Sequence, residues 1–430
     1  MAPDPRSPDA AGRAGHDRSG PTFPWAAPVD PVAPGGPGRG GGPGGRGEEP
    51  DPDPPALSVP VGAVEAGPAA LPAGGRRQWR RLAAKAAHFA PAMYLFILAI
   101  QLMKAGAQAL RPYLVGTFPF DNAISSLGLG WVGAYLVLSG SPVAAVALVL
   151  FSAGAITPLQ TFTMLSGSRL GASFIVLLVG FLYMMRDRGH RESLAMGILA
   201  LSLTAVVYVP GMLLGYGLLR SGLLSGVRWT AGTQVEGLID LGWGWLVDLA
   251  SALPGGLLFP LGLGVILLSF KLLDQVLPEI DHRHAEGRRH WLKKPWPMFF
   301  LGCLAALLTL SVSVAITVLV PLAAKGYVDR KEAVPYIMGA NITTLADTLV
   351  AAMILGRPEG VQIVLAEAIA VALVTVAYLL FAYTPLQRTI IAIDDWAVGT
   401  TRRLVLFVAG LFLLPAVLLV SGRIVGPLAR

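Results

Sequence analysis

Two short polar interruptions at a fixed separation constrain this chain more than any other feature. Leu138-Ser139-Gly140-Ser141-Pro142 lies inside one long apolar stretch, and Leu310-Ser311-Val312-Ser313-Val314 lies inside another, 172 positions later. Each is followed 29 positions on by a polar, Gly-containing segment. The first is Gly167-Ser168-Arg169-Leu170-Gly171-Ala172-Ser173 and the second is Gly339-Ala340-Asn341-Ile342-Thr343-Thr344-Leu345, again 172 apart. Gly154 and Gly326 keep the same offset. A common offset with common internal spacing is the mark of an internal duplication, so the chain should fold as two related halves.

The surroundings decide the solvent of those halves. Only 14% of the residues are charged and the mean hydropathy is +0.62. Long apolar runs with so few charges read as membrane helices. The net charge of +7 comes from basic residues gathered at the ends of apolar runs, the pattern of the positive-inside bias. No basic face alternates with aromatics, which argues against nucleic acid as a partner. The lipid bilayer is the expected partner instead. The single cysteine, Cys303, allows neither a disulfide framework nor a cysteine metal site.

Residues 1–78 are rich in Pro, Gly, Asp and Arg and lack apolar periodicity, so they read as a disordered tail. Arg76, Arg77, Arg80, Arg81 and Lys85 precede the first apolar run, Phe89 to Leu110, which places the N-terminus in the cytoplasm. Residues 86–220 form the expected first repeat, 221–253 an interfacial connector with Trp229, Trp243 and Trp245, 254–400 the second repeat and 401–430 a last membrane helix. The segments 186–191 and 281–296 are basic loops. His282, His284 and His290 in the second lack metal-ligand spacing. In each half, Pro and Gly interrupt the helical ladder. Irregular backbone at membrane depth is tolerated only inside protein or beside a water-filled cavity. Each half therefore reads as a re-entrant helical hairpin plus a broken helix, with turns at Gly167–Ser173 and Gly339–Thr344. The count is about eight full spans. The fold class is an all-α polytopic membrane protein with two inverted repeats.

Such a layout has a chemical use. Transporters built from repeats place their site where interrupted helices meet near mid-membrane. Helix N-termini exposed there favour anions, and carbonyls with hydroxyls favour small hard cations. The expected substrate-binding residues are Ser139, Ser141, Ser168 and Arg169 from the first half, with Ser311, Ser313, Asn341 and Thr343 from the second. The expected ligands for a sodium ion are Ser173, Thr344 and Asp347. Arg169 stands where the second half has Asn341. A membrane arginine is costly unless paired, and facing the cavity its fork suits a phosphate-like oxyanion. Asp347 reads as a cation ligand or as a counter-ion to Arg169. Glu367 reads as a helix-end charge.

These residues resemble the Na⁺/phosphate cotransporter family, which includes the animal type II sodium-phosphate cotransporters and bacterial relatives. In that family each repeat carries Gln-Ser-Ser-Ser and then a Gly-Ala/Ser-Asn-Ile-Gly-Thr-Thr/Ser segment. Here Leu138 and Leu310 replace the glutamines, Gly140 and Val312 replace the middle serines, Arg169 replaces the first Asn and Thr343 the second Gly. The resemblance spans about residues 90–400 and implies sodium-dependent symport of inorganic phosphate or a related anion across the plasma or inner membrane. Sodium would be the coupling ion, with no tightly bound cofactor and no enzymatic activity. A transporter of another solute, or a non-transporting scaffold of the same fold, stays open beside that reading.

Overall fold

In the computed structural model, residues 74–114, 122–186, 191–230, 232–274, 294–309, 311–324 and 327–425 are described. The first half contains α1 (Gly74–Leu114), α2 (Ala123–Val137), α3 (Gly140–Ser152), α4 (Pro158–Ala172), α5 (Phe174–Arg186) and α6 (Arg191–Ser221). A connector helix, α7 (Gly232–Ala250), follows. The second half contains α8 (Gly255–Asp274), α9 (Pro295–Thr309), α10 (Val312–Thr317), α11 (Leu319–Ala324), α12 (Arg330–Thr343), α13 (Leu345–Ile354) and α14 (Pro358–Phe381). Two further helices, α15 (Tyr383–Gly399) and α16 (Thr401–Val425), complete the chain. Among the described residues, seven helical stretches are long and apolar enough to cross a membrane, where the sequence led us to expect about eight. The chain is an all-α polytopic membrane protein.

The duplication is visible in the backbone. Shifted by 172 positions, α2 falls on α9, α3 on α10 plus α11, and α4 on α12. Even the starting cap recurs. Thr157 and Gln160 exchange backbone and side-chain hydrogen bonds at the start of α4. At the equivalent start of α12, the Asp329 N–H donates to Glu332 at 3.1 Å. Such reciprocal bonds satisfy N–H groups that a helix start leaves open. In each half two short apolar helices form a hairpin, α2–α3 and α9–α10–α11, beside a span interrupted near its middle, α4–α5 and α12–α13.

The Gly-rich segments are not turns, contrary to the expectation. Gly167 and Gly171 lie within α4 and Gly339 lies within α12. Their role is close packing. A methyl group on Gly167 would collide with the Leu127 carbonyl of α2, and one on Gly339 with the Phe299 carbonyl of α9, again 172 positions on. Gly130 against Met164 and Gly302 against Tyr336 repeat the relation from the other side of each crossing. Small residues bring membrane helices into backbone contact, where dispersion and not water expulsion holds them. The breaks come just after the glycines, at Ser173 and Thr344.

α1 begins at Gly74, so residues 74–78, read from sequence as tail, are helical. The rest of the expected tail, Leu310, Gly326 and most of both basic loops lie outside the described residues. α7 leans on α1: the Trp243 indole donates to the Tyr94 carbonyl at 2.8 Å and stacks on its ring. The segment 384–403 lies mainly in α15.

Candidate functional site

The two halves meet at two equivalent interfaces, and these are in different states. At the first, the hairpin helix α3 faces α13. Arg169, near the end of α4, is buried there. Its guanidinium donates to the Thr344 hydroxyl at 2.9 Å, to the Ser141 hydroxyl at 3.4 Å and to the Thr348 hydroxyl. The same group lies 3.7 Å from the Asp347 carboxylate. Asp347 in turn accepts from the backbone N–H and the hydroxyl of Thr348. This network joins α3 and α4 of one half to α13 of the other. Ala145, Val149, Ala351 and Leu355 around it are all buried, so the interface is closed.

At the second interface α10 faces α5. Shifting Arg169, Asp347 and Thr348 by 172 lands on Asn341, Ile175 and Val176, so no charges meet there. Asn341 instead donates to the Thr204 hydroxyl of α6 at 3.2 Å, and Thr204 shares a 2.8 Å hydrogen bond with Ser173. The Tyr208 hydroxyl donates to the Asn341 carbonyl at 2.9 Å. A cavity of about 320 Å³ lies at this interface, between α5 and α10. Ser139, Ser311, Ser313, Thr317 and Tyr183 line it, with Ile175 and Val318 as apolar walls. That volume is at the lower end for small-ligand pockets, which run from about 300 Å³ upward.

The hairpin tips explain why serines reach this cavity. Leu138 ends α2 in the left-handed conformation, with φ of 56°, and the chain re-enters α3 through Ser139 in extended geometry. Ser139 makes no side-chain capping bond. Ser311 occupies the same position before α10 and accepts from the Val314 N–H at 3.3 Å. Both serines therefore stand at a helix start, on the rim between the halves.

Of the residues expected from sequence, Ser139, Ser311 and Ser313 share the cavity, while Ser141, Arg169, Thr344 and Asp347 share the closed network. Asn341 and Ser173 meet through Thr204. Two residues go elsewhere. Ser168 bonds back to the Leu165 carbonyl at 2.7 Å, and Thr343 donates to the Cys303 carbonyl on α9 at 3.1 Å. Short hydroxyl side chains in helices commonly bond back in this way. Arg169 does not face the cavity, and Asp347 is its counter-ion. Of the three residues expected to hold sodium, Thr344 and Asp347 meet the guanidinium and Ser173 meets Thr204. Four participants escaped the sequence reading: Thr348, Thr204, Tyr208 and Glu367. Thr348 was within reach, since it follows Thr344 by one helical turn and so shares its face. Thr204 and Tyr208 sit in an apolar run with nothing to set them apart. Glu367, read as a helix-end charge, is fully buried in the middle of α14.

Residues 261–416 match the profile of the family described as Na⁺/Pi-cotransporter. That match supports membership in the family and covers a little over a third of the chain. The match begins inside α8 and ends inside α16, so it covers the second hairpin and the second broken helix. The first half lies outside the matched residues, and it is tied to the second by the 172-position recurrence. No curated protein and no solved structure matches the chain.

Proposed function

We propose that this family member is a sodium-coupled symporter of inorganic phosphate or a related small anion in the plasma or inner membrane, with its N-terminus in the cytoplasm. One observation carries the reading. Hydroxyls from both hairpin tips line a single cavity at the α5–α10 interface, while the equivalent α3–α13 interface is closed. Transport follows if the two halves are inverted and exchange these states, so that the cavity closes on one side as its counterpart opens on the other. Ser139, Ser311 and Ser313 would donate to the anion's oxygens. Arg169 serves the closed interface as a buried lock. Sodium as coupling ion is supported by the family, and its ligands are to be sought among the hydroxyls and carbonyls at the breaks. The basic residues in the first turns of α1, ahead of its apolar part, support the orientation.

A second reading, transport of an uncharged solute, is favoured by one fact. The arginine that suits an oxyanion is already matched by Asp347, and the cavity offers hydroxyls without a cation. Uptake of labelled phosphate into proteoliposomes, with and without a sodium gradient, separates these readings. Sodium-dependent uptake is expected. Ser311→Ala should weaken apparent phosphate affinity by about tenfold, since a hydrogen bond to a charged group contributes roughly 1.5 kcal/mol. Ser168→Ala and Thr343→Ala should leave it unchanged. Absence of phosphate uptake by folded protein, with uptake of a neutral polyol in its place, would sink the anion reading.

A further inference from the structure

Glu367 is a buried acid that the transport reading leaves unused. It lies on α14 at 0% exposure, and neither carboxyl oxygen has a hydrogen-bond partner. The Ser166 hydroxyl beside it is turned away, donating to the Phe162 carbonyl at 3.1 Å. Arg169 is the charge acting on Glu367. The buried cluster therefore holds one cation and two acids. One oxygen of Asp347 faces Arg169 at 3.7 Å and accepts from two donors of Thr348, whereas its other oxygen has no partner. An unpaired second carboxylate in such surroundings costs several kcal/mol, and neutralisation is the ordinary escape. The site that must take the proton is the one without donors, which is Glu367.

A further detail gives that proton a mechanical consequence. The Arg169 Nε–H is also buried without a partner. The cluster thus contains an unused donor on the arginine and unused acceptors on the glutamate.

We propose that Glu367 is a proton-binding site that governs the Arg169 lock. In the conformation seen here Glu367 carries the proton, and Arg169 belongs to Asp347, Thr344 and Thr348. When Glu367 gives its proton to water, its carboxylate accepts from the Nε–H and draws the guanidinium away from α13. The contact between α3 and α13 then loosens, and the closed interface can open. The charged and titratable groups facing this exchange are Arg169 of α4, Asp347 of α13 and Tyr208 of α6. From α3 the facing polar group is Ser141. The consequence for uptake rests on the transport reading; the proton on Glu367 does not.

Two measurements keep the failures apart. Infrared spectra of the purified full-length protein should show the carbonyl stretch of a buried protonated carboxyl group, lost in Glu367→Gln. Absence of such a band from the wild type, or its persistence in Glu367→Gln, overturns the proposal whether or not the protein transports. In proteoliposomes the wild type should gain phosphate uptake with rising pH by about tenfold per unit below the titration point, the response of one proton site whose loss releases the lock. Glu367→Gln imitates the protonated form, so its thermal unfolding should match the wild type and its uptake should be flat over the same range. Glu367→Asp should restore the pH response. A pH profile identical in the wild type and Glu367→Gln also overturns the proposal. If neither protein takes up phosphate while the infrared band behaves as expected, the transport reading fails and the proton site stands.

Discussion

The two halves agree in backbone and disagree in charge. Helix ends, a starting cap and the glycine crossings recur at one offset of 172. Yet the Arg169–Asp347 pair has Asn341 and Ile175 as its counterparts. Duplication preserved what brings helices into contact, because backbone contact at Gly167 and Gly339 leaves no freedom for a side chain. It did not preserve what the helix faces say to each other. One interface became ionic and shut; the other became neutral and borders a cavity.

The largest effect should come from leaving the buried arginine unpaired. Asp347→Ala is expected to lower stability by about 3–5 kcal/mol, the usual cost of removing one partner of a buried pair. Thermal unfolding in detergent reads this directly. Giving the closed interface the character of the other, with Arg169→Asn and Asp347→Ile together, should recover most of the loss. If the double variant is no better than Asp347→Ala, the charges are not what distinguishes the two interfaces.

Gly130→Val and Gly302→Val probe the agreement. Both press on a carbonyl in the facing helix, Met164 and Tyr336, so each should destabilise by about 1–3 kcal/mol and by similar amounts. Strongly unequal losses in the same unfolding assay would break the equivalence of the two crossings.

The smallest effect concerns an attachment that only one half possesses. Arg330, at the start of α12, bonds Asp394 at 2.8 Å and Asp395 at 2.6 Å on α15. Its counterpart at the start of α4 is Pro158, which has no charge to offer. Burial pushes the Asp394 carboxyl up to about 6, against the pull of Arg330. The sign follows from linkage. The folded state holds this proton more tightly than the unfolded one, so the contribution to stability falls as pH rises from about 4 to 6. Asp394→Asn should remove that slope from a pH series of unfolding temperatures.

Much of this was legible in the sequence because polar residues stand out in apolar runs. Ser139 and Ser311 were visible as interruptions, and their offset revealed the repeat before any helix was placed. Arg169 was visible because a charge there needs a reason. Glycine was harder, since it serves both turns and close crossings, and only the packing partner tells them apart; hence Gly167 and Gly339 were assigned to turns. Hydroxyls were harder still. Ser168 and Ser141 are equal in sequence, but one turns back to its own helix and the other points at Arg169. Glu367 could not be separated from a helix-end charge because burial depth is a property of the neighbours.

The last helix has a consequence beyond length. α16 packs on α2, where Gly128 admits the Leu419 backbone and the Tyr135 hydroxyl donates to the Leu411 carbonyl at 3.1 Å. The residue equivalent to Gly128 in α9 is Phe300, which is exposed, as are Leu304, Leu307 and Leu308 around it. One hairpin is therefore bolted to an extra post and the other is not. The hairpin without that post is the one that carries Ser311 and Ser313.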